Sequence, residues 1–128
     1  KEQIGNKIIL DIFFNDIFEN TPPAKPQLTE IVKNGSESLN LSWLKNEEPD
    51  LVGYNLYYKS PHTFERSIYL PSSVSNIDIS KYLLQEKSNI IWLTAVDKDN
   101  KESLPSDYFV ISKSSATKKW SWNRKEIL

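Results

Sequence analysis

From Ser38 onward the chain alternates. Ser38-Leu39-Asn40-Leu41-Ser42-Trp43-Leu44 sets an apolar residue at every second place, and Gly53-Tyr54-Asn55-Leu56-Tyr57-Tyr58 and Leu93-Thr94-Ala95-Val96-Asp97 do the same. A period of two puts one face of each run in a core, the mark of half-buried strands. Seven strands are predicted, near 27–32, 38–44, 52–59, 64–70, 74–79, 90–97 and 107–112. Asn34-Gly35-Ser36 is a turn because Asn and Gly tolerate positive φ. Pro49-Asp50, Ser60-Pro61 and Pro71-Ser72-Ser73 punctuate later links. All of these links are too short for helical crossovers, so the strands pair antiparallel. Inward positions name a core of Leu39, Leu41, Trp43, Tyr54, Leu56, Ile77, Ile79, Ile91, Leu93 and Ala95.

The two ends differ from this middle. Residues 1–24 hold the apolar run from Ile8 to Phe18, closed by Thr21-Pro22-Pro23-Ala24-Lys25-Pro26, a stiff extended connector. Leu10, Phe13, Phe14, Ile17 and Phe18 fall on one helical stripe. Ile8, Leu10 and Ile12 also alternate, so a strand competes with the helix. An isolated helix this short is marginal in water, and its apolar face needs a cover. It docks on the sandwich, on the tail or on another protein. Residues 113–128 form a basic tail in which Trp120 and Trp122 flank Ser121. Extended, the tail sets both rings on one face, to stack on a sugar or a partner. Sixteen extended residues span roughly 50 Å, enough to fold back so that the rings pack inward instead.

Order and spacing make residues 25–112 resemble the fibronectin type III family. Pro23 and Pro26 precede the first strand, Leu41-Ser42-Trp43 carries the second strand's buried Trp, and Tyr54 to Tyr58 matches the third. Ala95-Val96-Asp97 ends the sixth, with Glu102-Ser103 soon after. The resemblance implies an all-β, two-sheet antiparallel β-sandwich of seven strands, here with an N-terminal apolar extension and a basic C-terminal tail. It also implies chain ends at opposite poles. The family's corner tyrosine is replaced by Asn89, so the corner is made otherwise or lost; Leu83 or Leu84 supplies the apolar plug before it. Asn100 stands where glycine is frequent and still allows a left-handed turn. There is no Arg-Gly-Asp, and Trp120-Ser121-Trp122 lacks the spacer of the cytokine-receptor Trp-Ser box.

Composition narrows the chemistry. In 128 residues there is no Cys, no Met and one His, and the formal net charge is −1. That balance argues against a nucleic-acid surface. No apolar run approaches a membrane helix in length, so direct membrane insertion is not expected. Without cysteine, neither disulfides nor thiolate metal sites hold the fold, which leaves the compartment open. Lys1 in place of a start Met reads as a processed or excised chain, and the Lys-, Ile- and Asn-rich usage reads as bacterial. His62, beside Pro61 in a turn, has no local carboxylate to orient it, and no Gly-rich phosphate loop exists. No catalytic residue, cofactor or metal ligand is assigned.

Two further patterns weigh little. Glu47, Glu48 and Asp50 share a pole of the implied topology with Asp97, Asp99 and Glu102, where converging oxygens could take Ca²⁺. The blander reading, an acidic rim partly paired by Lys45, Lys98 and Lys101, is preferred because the spacing matches no known cation loop. Asn34-Gly35-Ser36 and Asn40-Leu41-Ser42 match glycosylation acceptors, which mean little in a bacterial chain.

The expected function is a non-catalytic, extracytoplasmic protein-binding or scaffold module on the periplasmic side or cell surface. It could be the mature part of a bacterial lipoprotein anchored upstream of Lys1. The alternative is a spacer or carbohydrate-associated accessory domain of a larger secreted polysaccharide-degrading enzyme. Leu10, Phe13, Phe14, Ile17, Phe18, Trp120 and Trp122 are the expected partner interface, with carbohydrate the lesser ligand.

Overall fold

The structure is a computed structural model that describes residues 21–126 apart from Ser36 and Glu86. Leu10, Phe13, Phe14, Ile17 and Phe18, and with them the helix-or-strand question, lie outside the described residues.

Eight strands occur among the described residues: β1 Gln27–Asn34, β2 Ser38–Leu44, β3 Leu51–Lys59, β4 Arg66–Pro71, β5 Asn76–Asp78, β6 Asn89–Asp97, β7 Tyr108–Lys113 and β8 Trp120–Lys125. All pairings are antiparallel. One sheet runs β1-β2-β5 and the other β4-β3-β6-β7-β8. The two-sheet antiparallel β-sandwich expected from the alternation is therefore present. Its strand count is one higher than expected, because part of the tail becomes β8.

The alternation builds the core directly. Leu39, Leu41 and Trp43 of β2 face Tyr54 and Leu56 of β3 and Ile91, Leu93 and Ala95 of β6, all buried. Trp43 of one sheet meets Tyr54 of the other edge-on, with ring centres 5.5 Å apart. Such a pair contributes about 0.5–1.5 kcal/mol beyond its buried area. Leu28, Ile31, Leu83, Phe109 and Ile111 complete the core. Ile77 is only half-buried, unlike the sequence expectation, because β5 is a three-residue edge strand. β4 begins at Arg66 rather than Phe64, since Ser60 and Thr63 close a turn by Thr63 N–H to Ser60 O (3.1 Å).

Two local devices replace regular pairing. After β6 the chain returns through Ser103-Leu104-Pro105-Ser106, where Pro105 has no N–H to give. The Ser103 and Ser106 hydroxyls accept the Ala95 and Leu93 N–H groups (2.8 and 3.0 Å), substituting for ladder carbonyls. At the corner before β6, Asn89 is 1 % exposed. Its Oδ1 accepts from Leu84 N–H (2.8 Å) and Ser60 Oγ (2.6 Å). Its Nδ2 donates to the carbonyls of Leu84, Lys87 and Ile111. The corner is thus made by an amide, and Leu83, only 7 % exposed, is the plug beside it.

Candidate binding face

The core face of the five-stranded sheet is apolar, and alternation predicts a polar outer face. It is not polar. β3 puts Asn55 and Tyr57 outward, and β6 sets Thr94 and Trp92 directly opposite them. The Tyr57 and Trp92 rings stack, 5.3 Å between centres and 8° from parallel. Both remain half-exposed. Tyr69 of β4, opposite Asn55, is 56 % exposed and donates its hydroxyl to Val52 O (2.8 Å). An exposed aromatic cluster of this kind marks an interaction surface more often than chance placement would.

Glu102 completes the cluster. The segment after β6 bridges back at Val96, which brings the Glu102 carboxylate over β3 and β6. Its Oε2 accepts from the Thr94 hydroxyl (2.5 Å), from Asn55 Nδ2 (3.1 Å) and from the Tyr57 hydroxyl. Burial alone would raise the carboxyl's pKa. The hydrogen bonds from Thr94, Tyr57 and Asn55 outweigh it and hold the group below its ordinary value. Tyr57 moves the other way, pushed up to about 12 by burial, by its bond to Glu102 and by the nearby carboxylate charges. The result is a fixed anion beside two aromatic rings. Its three donors are uncharged, so they orient the charge without cancelling it. Such a face can take a cationic side chain, a hydroxyl-rich ligand or an apolar ring.

The acidic groups of the same pole do separate jobs. Glu48 Oε1 accepts Ala24 N–H (2.7 Å), and Asn46 Nδ2 donates to Ala24 O (2.6 Å), which fastens the Pro-rich entry. Asp97 Oδ1 accepts the N–H groups of Asp99 and Lys101 (2.9 Å each), shaping a turn in which Asn100 has φ 62°. Among the described residues no three His, Cys, Asp or Glu side chains come together as a metal site. His62 is exposed at φ 63° in the turn before β4.

Trp120 and Trp122 lie on β8, opposite Lys113 and Ile111. Both are half-buried and pack against the core, and Lys113 Nζ sits 5.5 Å from the Trp120 ring centre. From sequence, Glu102 figures only among the acidic-pole carboxylates and Tyr57 only within the third-strand run, while Trp92 and the grouping of the three go unnoticed. The available signal was aromatic residues at positions where strand alternation predicts polar ones.

No family model matches the chain, and no curated protein resembles it in sequence. Solved structures do resemble it. The spore cortex lytic enzyme SleM of Clostridium perfringens is 22% identical over 84% of this chain and 29% of its own, with a TM-score of 0.52. This chain therefore spans less than a third of that enzyme's length. An Fn3-like protein from Clostridium thermocellum is 20% identical over 69% of this chain and 90% of its own, at TM-score 0.50. The FN1–FN3 domains of chicken CNTN1 are 13% identical over 84% of this chain and 34% of theirs, at TM-score 0.53. At these identities the likeness speaks to architecture alone. The sandwich, its strand order and these neighbours together give the chain a fibronectin type III-like fold.

Proposed function

We propose that this chain is a non-catalytic, extracytoplasmic binding module that engages a protein partner through the outer face of its five-stranded sheet. One observation carries the reading: Tyr57 and Trp92 stack on the outward face of the sheet, partly exposed, beside the Glu102 carboxylate. Buried anchors at protein interfaces are enriched in Trp and Tyr, and a fixed carboxylate among them adds orientation. Trp120 and Trp122, being largely used against the core, are secondary contributors.

A second reading is an accessory domain of a polysaccharide-degrading enzyme. The stacked pair favours it because aromatic faces also accept sugar rings, and a spore cortex lytic enzyme contains a similar fold. The two separate by experiment. A photo-crosslinking residue at position 92 should yield one discrete protein adduct in the native host, lost in Glu102→Gln. An equivalent probe at Val32, exposed on β1 of the other sheet, should yield none. Equal labelling from both positions would refute the protein-partner reading. Quenching of Trp92 fluorescence by soluble cell-wall oligosaccharides, without a protein adduct, would establish the second.

A further inference from the structure

Both ends of the described fold lie at one pole. β1 starts there at Gln27. β8, antiparallel to β7 with Lys125 opposite Tyr108, finishes there. Lys25, Pro26 and Gln27 share one groove with Arg124 and Glu126. The eighth strand is the cause, since a chain leaving after β7 would exit at the other pole. That far pole is consequently turned away from both connections. It is built from the β1–β2 turn, the turn before β4, the residues around Ser80–Tyr82 and the β7–β8 turn. The Lys113–Glu37 ion pair (4.0 Å) ties two of these turns together across the sheets.

The far pole combines exposed apolar and basic side chains. Phe64 is 91 % exposed and Leu84 46 %, and they border one shallow cleft with Tyr58 and Tyr82. A phenylalanine this open is unusual on a folded surface. Lys59, Arg66, Lys81, Lys87, Lys118 and Lys119 are all exposed on the turns around them, and Glu37, Glu65 and Asp78 are the exposed acids among the described residues there. The near pole is mixed: Glu47 and Asp99 are exposed there beside Lys25, Lys45, Lys98, Arg124 and Lys125. Within a chain of formal net charge −1 the far pole thus holds a local excess of cations.

We propose that the far pole docks peripherally on an anionic lipid surface, with Phe64 and Leu84 entering the headgroup layer and the basic side chains meeting the phosphates. A membrane interface rewards both kinds of residue at once. A soluble polyanion rewards only the charges and leaves Phe64 without a role. The inference goes beyond the sheet-face reading, because it uses the opposite end of the molecule from Glu102.

The test is flotation of the full chain with vesicles of phosphatidylglycerol and phosphatidylcholine, against vesicles of phosphatidylcholine alone. Binding is expected to the anionic vesicles only and to fall as salt is raised. Phe64→Ser, at a site that supports no core, should weaken it roughly tenfold with unchanged melting. Lys81→Gln and Lys87→Gln should each weaken it roughly fivefold. Trp92→Ala, on the outer sheet face, should leave it unchanged. No binding to anionic vesicles would overturn the proposal, and so would equal binding by Phe64→Ser. Binding to soluble polyphosphate as tight as to vesicles and indifferent to Phe64→Ser would replace the membrane by a free polyanion. Loss in Trp92→Ala would move the docking surface to the sheet.

Discussion

Replacing Asn89 by alanine should be among the most damaging polar substitutions in this domain. The side chain is 1 % exposed and ties three segments: the turn after β3 through Ser60, the loop before β6 through Leu84 and Lys87, and β7 through Ile111. Its orientation is unambiguous, because Leu84 N–H can only donate and the three carbonyls can only accept. The bonds to Ser60 Oγ and Ile111 O lie among buried atoms, so alanine leaves those partners where water does not readily reach. An orphaned buried group costs about 1–3 kcal/mol, while the part-buried partners rehydrate at a net loss nearer about 1 kcal/mol. The total is about 3–5 kcal/mol, a large share of the about 5–15 kcal/mol that holds a typical domain. Urea unfolding followed by tryptophan fluorescence measures it as a lower midpoint at constant m. Asn89→Asp sharpens the test at nearly constant volume. It sets a carboxylate oxygen where Nδ2 faced three carbonyls, so its penalty should be at least as large at neutral pH. The protonated acid is favoured in the folded state, so the penalty should shrink as pH falls and the acid can donate again. A loss below about 1 kcal/mol for alanine, or wild-type stability of the aspartate variant at pH 7, would refute the corner assignment.

Trp43→Ala should cost about 3–5 kcal/mol, since Trp43 is 4 % exposed and bridges the sheets against Tyr54; near-wild-type melting would contradict that packing. Tyr57 should ionise near 12 in an ultraviolet titration, with its value falling back toward 10 in Glu102→Gln, and an unchanged curve would dissolve the pairing. Because the folded Tyr57 pKa is raised, its stabilisation is full below the ordinary value of 10.0 and is lost as pH rises toward about 12. The depressed Glu102 works in the opposite sense: its stabilisation is present above the ordinary carboxylate value and is lost as pH falls through the folded one, so Glu102→Gln should flatten the acid limb of stability against pH. A chain ending after Lys113 loses β8 and bares the β7 edge, and light scattering should then show self-association. A clean monomer of unchanged stability would mean that β8 is dispensable.

Much of the architecture was legible in the sequence because strand alternation is a local, period-two signal. Leu39, Leu41, Trp43, Tyr54 and Leu56 are buried for the reason their spacing announces. Antiparallel pairing was legible too, since the short links leave no alternative. Ile77 was misjudged because alternation states which face a residue takes, not how short its strand will be or whether anything covers it. Asn89 was visible as a departure from the family pattern. Its role was not, because the clamp depends on Ser60 and Ile111, each more than twenty residues away.

The candidate face belongs wholly to tertiary structure. Tyr57, Trp92 and Glu102 come from β3, β6 and the segment after β6, and only the pairing register makes them neighbours. The same holds for the far pole, where Phe64 and Leu84 meet only because two separate turns close beside each other. The tail could be read as extended and aromatic, yet whether it ran free or paired depended on the open edge of β7, which no local pattern contains. By itself the sequence determined an all-β sandwich and its core face, because burial acts residue by residue. The tertiary structure decided which outward residues share a surface and at which pole the chain leaves, because those follow from register and strand order over long separations.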